Sequence, residues 1–159
     1  MYKVTVVTDG KEYPLLNQVL RLENPTLKEY AGNSPGYLKF KITPKHPYYD
    51  KILPLSSELF VYEDGMEIFR GRSMTTEEEF NRTHQITCES DLAYLCDSIV
   101  RPFEFQGSII EFMTQVLNGH NAQVETRKQY LLGRVNVVDN NNYINRSNSD
   151  YSCSLDCLR

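Results

Sequence analysis

Residues 44–71 read PKHPYYDKILPLSSELFVYEDGMEIFRG, and the two halves of this stretch obey different rules. In the second half Leu59, Phe60, Val61 and Tyr62 supply aromatic and β-branched strand residues, Asp64-Gly65 supplies a tight turn, and Ile68-Phe69 begin the return. A hairpin is expected there. In the first half Pro44, Pro47 and Pro54 each lack a ladder donor and restrict the residue before them. The segment holding His46, Tyr48 and Tyr49 is therefore expected to be an ordered turn or helical corner, an elbow feeding the hairpin.

Working outward towards the N-terminus, residues Tyr2 to Thr8 alternate as a half-buried strand, Asp9-Gly10 makes a turn, and Glu12 to Leu15 return alongside as the start of a sheet edge. Val19, Leu20 and Leu22 form a short apolar run before Asn24-Pro25, and Ala31 to Gly36 (AGNSPG) read as a loop or wide turn. Tyr37, Leu38, Phe40 and Ile42 then predict a strand with Lys39 and Lys41 on its other face, so one side of the sheet is packed and one is wet.

Beyond Gly71 two readings compete. Thr75 and Glu78 have capping-box spacing for a helix. Asn81-Arg82-Thr83 resembles a turn, however, and Gln85 to Cys88 a strand, which favours a long strand from Glu67 to Phe80 paired with Gln85 to Glu89, with Gly71 as a bend or bulge. Glu77, Glu78 and Glu79 are then a solvated charge run. Ser90 or Asp91 is expected to cap a short helix through Ala93, Tyr94 and Leu95, a lid on a small β-barrel, and Pro102 to Gly107 to be a domain boundary. Ser108 and Glu111 form a capping box for a helix with Ile109, Phe112, Met113, Val116 and Leu117 on one face, ended by Gly119. Leu131 to Val138 suggest a strand, Asp139 to Asn142 a turn, Asn145 to Ser149 a polar loop, and Ser152 onward, with Leu155 and Leu158, a second helix. The sequence stops inside that helix's second turn, the pattern expected of a piece cut from within a larger second domain.

The fold class expected is α+β: an antiparallel β-barrel-like domain over residues 1–101, then the beginning of a smaller α+β domain over 102–159. Eleven tyrosines and seven phenylalanines, with no tryptophan, lean the composition towards β structure. A net charge of −4 gives no electrostatic footprint for holding nucleic acid and suits a surface that lets DNA slip past. No run approaches the ~18 apolar residues of a membrane span, and the N-terminus lacks a signal pattern, so no membrane anchor and assembly in a cytoplasm are expected.

Candidate chemistry is sparse. Cys88, Cys96, Cys153 and Cys157 lack CxxC spacing. A helix would put Cys153 and Cys157 on one face, with His120 as a further ligand, but buried free cysteine is the commoner use. His46 precedes Pro47 in the elbow with Asp50 four residues on, His84 falls in an expected hairpin turn, and His120 follows an expected helix cap. None belongs to a hydrolase, metalloprotease or phosphate-binding motif. Neither catalytic residues, nor a cofactor, nor a metal are assigned. Asn81 and Asn145 open glycosylation sequons that are inert in a cytoplasm. The rival expectations are a cell-wall hydrolase or endopeptidase using His46, Asp50 or Glu77 to Glu79, and a glycan-binding module using exposed tyrosines.

The run His46-Pro47-Tyr48-Tyr49-Asp50-Lys51-Ile52, then Phe69-Arg70-Gly71-Arg72, then Cys88-Glu89 with Leu92-Ala93-Tyr94-Leu95 and Asp97-Ser98, resembles the N-terminal region of the phage and prophage tail-hub family. These are the tail-associated lysins, minor structural proteins or tail endopeptidases of the tail tip. The similarity extends through residues 112–121 and Leu132-Gly133-Arg134-Val135. It implies a relative of the baseplate hub of contractile-tail phages: a homotrimer in which each subunit supplies two related tube domains to a ring that continues the tail tube. It further implies that DNA passes through without specific binding, that the partners are distal tail and tail-tube proteins, and that the location is the virion tail tip. The helix at Ser108 would open an inserted domain, and any lysin would lie past Arg159.

Overall fold

The computed structural model describes residues 1–30, 34–137, 141 and 143–159. The chain divides into two compact units, Met1–Leu92 and Ala93–Arg159.

The first unit is one seven-stranded antiparallel sheet. Its strands are β1 (Tyr2–Thr8), β2 (Lys11–Leu16), β3 (Glu23–Lys28), β4 (Tyr37–Ile42), β5 (Glu58–Glu63), β6 (Met66–Glu78) and β7 (His84–Ser90), in the order β2-β1-β5-β6-β7-β4-β3. Both tight turns are as read from the sequence. Asp9 and Gly10 have φ of 51° and 71°, and Asp64 and Gly65 have 50° and 86°. Two successive left-handed residues match the strand twist, which is why Asp-Gly suits a two-residue hairpin.

Alternation along the strands sends Val4, Val6, Leu38, Phe40, Ile42, Leu59, Val61, Phe69, Ile86 and Cys88 to a single core. The sheet curls around this core, so that Leu16 near one edge and Pro25 and Leu27 near the other line a common groove of about 360 Å³ with Val4, Leu38 and Val61. It is a curled open sheet, a half-barrel form of the β-barrel-like domain expected. Its outermost strands, β2 and β3, each contain a proline and a bulge: Pro14 with the shift opposite Val4 and Thr5, and Pro25 with the shift between Glu23 and Thr26. Proline removes a donor and a bulge twists the edge, so neither border is a good template for another strand.

The elbow is a series of turns and a 3₁₀ turn at Tyr49–Lys51, sewn onto the sheet by buried polar contacts. His46 Nε2 bonds the Leu15 carbonyl at 3.0 Å, and Thr8 Oγ1 donates to the Lys51 carbonyl at 2.7 Å. Ser57 Oγ sits 2.6 Å from Thr8 Oγ1 and accepts from Leu53 N at 2.8 Å. Ile52, Tyr48 and Tyr49 pack on the core.

Several local expectations change. Asn24-Pro25 lies inside β3 instead of ending a segment: Asn24 takes φ of 49° at the bulge, and an edge strand tolerates the proline. Val19 and Leu20 belong to no element, and Val19 is 84% exposed. The bulges of the long hairpin fall at Ile68 and Met74, whereas Gly71 is paired in register; a Cβ there would lie 2.1 Å from the Glu89 carbonyl oxygen. Gly71 thus allows close approach of β6 and β7. The helical reading of Thr75 to Glu78 is excluded by their place in β6.

The 3₁₀ segment Asp91–Asp97 replaces the expected helix after Ser90. In the second unit, β8 (Ile99–Val100) pairs with β11 (Ser152–Cys153), and β9 (Phe103–Gly107) pairs with β10 (Ile144–Asn148). Residues 103–107, expected as a boundary, and the polar 145–148, expected as a loop, are therefore the two strands of one ribbon. Helix α1 (Ile109–Asn121) has the full capping box, with Glu111 N donating to Ser108 Oγ and Ser108 N to Glu111 Oε2. It runs through Gly119 to Asn121, so His120 is helical. Leu131 to Val137 form no strand, and Leu131 is 95% exposed. Helix α2 (Ser154–Cys157) is a single turn. Residues 31–33 of the expected loop, Val138, and Asp139, Asn140 and Asn142 of the expected turn lie outside the described residues. Among the described residues no helix is long and apolar enough to cross a membrane.

Candidate functional site

The candidate catalytic residues are held apart and engaged structurally. His46 is buried; its Nε2 meets Leu15 O, and its Nδ1 accepts from Tyr48 N at 3.2 Å. Both ring nitrogens are thus committed to backbone, and Asp50 stands exposed on the 3₁₀ turn. His84 opens β7 rather than sitting in a turn, stacked on Tyr49 with ring centroids 4.1 Å apart. Glu78 lies 3.8 Å from its Nε2, while Glu77 accepts from Gln85 and Glu79 pairs with Lys41. The three glutamates are exposed and serve three different partners.

His120 is fully enclosed, with Nδ1 2.7 Å from Ser98 Oγ and Nε2 3.0 Å from the Lys128 carbonyl. Because a carbonyl can only accept, neutral His120 carries its proton on Nε2, and Ser98 donates to Nδ1. Ser98 Oγ in turn lies 2.7 Å from Ser154 Oγ. A serine beside a histidine has the makings of a nucleophile pair. Here Ser98 is 1% exposed and Ser154 0%, so no substrate reaches either. The chain joins the residue before β8 to α1 and α2, a role that no local sequence signal announced. Both His120 nitrogens are engaged by Ser98 and the Lys128 carbonyl, and no group of three metal-binding side chains occurs among the described residues.

Two features of the first unit face outward. The sheet surface opposite the core carries a transverse row: Glu12, Val7, Glu58, Arg72, Glu89, Tyr37 and Lys28 stand opposite one another in turn across all seven strands. Arg72 Nε is 2.7 Å from Glu89 Oε1, and Arg70 Nη2 is 3.3 Å from Glu58 Oε1. Beside them Phe60 and Tyr62 stack at 6.4 Å, with Arg70 over Phe60 at 5.6 Å and Lys3 over Tyr62 at 5.4 Å. Arginine and aromatic rings on a rigid sheet are the side chains that protein interfaces favour. The alternation in FVY and FRGR held the signal, since every second residue there is neither core nor small.

The second feature is a polar cleft of about 320 Å³ whose lining includes Glu29, Glu67, Arg70, Ser90 and Asp91. Burial, and then the nearby Asp91 charge, push the Glu29 carboxyl above its ordinary value. Burial pushes Asp91 up as well, opposed by hydrogen bonding from Leu92 N and by Arg70.

No protein-family model matches the chain, and no curated protein does. Among solved structures it is similar to the tail protein from Neisseria meningitidis MC58, with a TM-score of 0.50 at 14% identity over 74% of this chain and 33% of that one. A second similar structure is the 43 kDa tail protein of prophage MuSo2 from Shewanella oneidensis, with a TM-score of 0.49 at 17% identity over 77% and 38% of the two chains. The chain thus spans about a third of the length of these solved structures. What it has in common with the Neisseria tail protein is the fold, an α+β arrangement dominated by a curled antiparallel sheet.

Proposed function

We propose that this chain is a structural component of a phage or prophage tail, and that within the tail it belongs to the tip, as part of the baseplate hub. The observation that carries this reading is a rigid curled sheet with two guarded edges and an arginine- and aromatic-bearing face, on the fold of a tail protein. Such a sheet offers contact through its face while proline and bulges discourage open-ended strand addition. The first unit is then the tube-like module, standing beside copies of itself in a trimeric ring, and the second opens an inserted domain. Distal tail and tail-tube proteins are its further partners. Several arginines and lysines of the outward face are matched by carboxylates, as in Arg72–Glu89, Arg70–Glu58 and Lys3–Glu12, while Lys28 and Lys39 lie over the Tyr37 ring. A channel wall of that kind neutralises most of its own cations and offers little to hold phosphate, so DNA passes without being bound.

Immunogold labelling of tail particles with an antibody to this chain tests the location: label at one end of the tail is expected, and label along the shaft or absent from particles overturns it. Fluorescence polarisation with duplex DNA at physiological salt tests the channel. No submicromolar binding is expected.

A further inference from the structure

We propose that Cys96 and Cys153 are an oxidisable dithiol that closes into a disulfide when the protein meets an oxidising environment. Their sulfurs lie 3.4 Å apart although 57 positions separate them in sequence. Closing to the ~2.05 Å of a disulfide takes a side-chain movement of little more than an ångström. The surrounding backbone is already pinned in the required register. Cys153 stands opposite Ile99 in the β8–β11 ladder, Ser152 stands opposite Val100, and one residue along from Cys153 the Ser154 hydroxyl meets Ser98 at 2.7 Å. Cys96 lies in the 3₁₀ segment that leads into β8 and is exposed; Cys153 is half-buried.

The roles of the two thiols differ. Cys96 is open to solvent, whereas Cys153 is half-buried with its Sγ donating towards Asp156 Oδ2 at 3.3 Å. Cys96 is therefore the entry thiol. With oxidised glutathione as oxidant, the Cys96 thiolate attacks one glutathione sulfur, the glutathione S–S bond breaks, and the departing glutathione thiolate takes up the proton that Cys96 gave to solvent. Cys153 then loses its proton and attacks Cys96 Sγ, releasing the second glutathione. Two protein thiols are oxidised and one glutathione disulfide is reduced to two thiols. The bond ties α2 and β11 to the segment before β8. Cys157, whose sulfur lies 3.1 Å from Ser152 Oγ, and Cys88, enclosed in the core of the other unit, take no part. The inference stands whichever assembly the chain joins.

The test is native incubation of the chain with oxidised glutathione, alkylation of remaining thiols, and peptide mapping by mass spectrometry. The expected product has two alkylatable thiols in place of four, a Cys96–Cys153 linked peptide, and no retained glutathione. It forms equally in Cys157→Ser and is lost in Cys96→Ser and Cys153→Ser. A Cys153–Cys157 link, a stable glutathione adduct on Cys96, or four thiols surviving would each overturn the proposal. The wild-type map decides the matter even where a serine variant folds poorly.

Discussion

Among the described residues, the side chains sealed completely from solvent in the first unit are Val6, Leu15, Leu59, Ile86 and Cys88 with Ser57 and Ser73, whereas in the second they are the polar His120 and Ser154. The difference follows from geometry. A seven-stranded sheet that curls presents rows of alternate side chains to one interior, so apolar contacts are many and each of the five inner strands is supported on two sides. One three-turn helix, a one-turn helix and two short ribbons enclose much less apolar surface. Their interior is tied together instead by the Ser154–Ser98–His120–Lys128 chain, in which each group depends on the next. The first unit is accordingly sensitive to shape and the second to lost hydrogen-bond partners.

The sharpest way to break the comparison is at Gly71. Gly71→Ala drives a methyl into the Glu89 carbonyl, a collision with backbone that no rotamer relieves. A loss of more than about 3 kcal/mol in urea unfolding is expected, confined to the transition of the first unit. In the second unit His120→Leu fills the space but removes the ring that bonds Ser98 and the Lys128 carbonyl, leaving Ser98 only its contacts with Ser154 and the Leu95 carbonyl. A loss of about 2 kcal/mol is expected, with faster amide exchange in α1 and little change in β1 to β7. If His120→Leu were neutral, the polar chain would be dispensable and the contrast between the units would fall.

Smaller effects sharpen it. Ser108→Ala removes the capping-box acceptor of α1 and is expected to cost about 1 kcal/mol, read as a lower denaturant midpoint. The Ser108 amide and hydroxyl hold the Glu111 carboxyl below the usual range. A depressed carboxylate stabilises above its unfolded value and loses that contribution as pH falls through the folded one, so the Ser108→Ala penalty should shrink on acidification. Glu29 has the opposite sign. Its raised value means that stability is full below the unfolded value and declines as pH rises through the folded one. Glu29→Gln is thus expected to raise the first unit's midpoint slightly at pH 7, by no more than about 0.5 kcal/mol, and to have no effect at pH 3. Parallel denaturation curves at the two pH values check both signs.

Strands were legible where alternation and a turn dipeptide coincided, as in β1, β2, β5 and β6, and in β4 from alternation alone. They were missed where the local pattern was polar or broken. In β3 the proline sits at an edge bulge, and in β10 the INRSN segment has almost no apolar alternation; its pairing with β9 comes from a partner nearly forty residues away. Of the candidate site, the histidines and glutamates were named from the sequence, yet their partners were not. Leu15 O for His46, Tyr49 for His84 and Ser98 for His120 are brought close only by the folded chain. The outward row of Glu58, Arg72 and Glu89 was hidden for the same reason, since register between strands decides which charges meet.

By itself the sequence determined the class of the fold, the two Asp-Gly hairpins, the elbow that refuses to be a strand, and the capped helix at Ser108, because each depends on residues within a few positions of one another. Tertiary structure alone decided that the sheet curls without closing, that Gly71 serves a close approach, that His120 is sealed among serines, and that Cys96 meets Cys153. Those outcomes depend on strand order and register, which are settled by how distant apolar faces share one core and by which buried polar groups find partners.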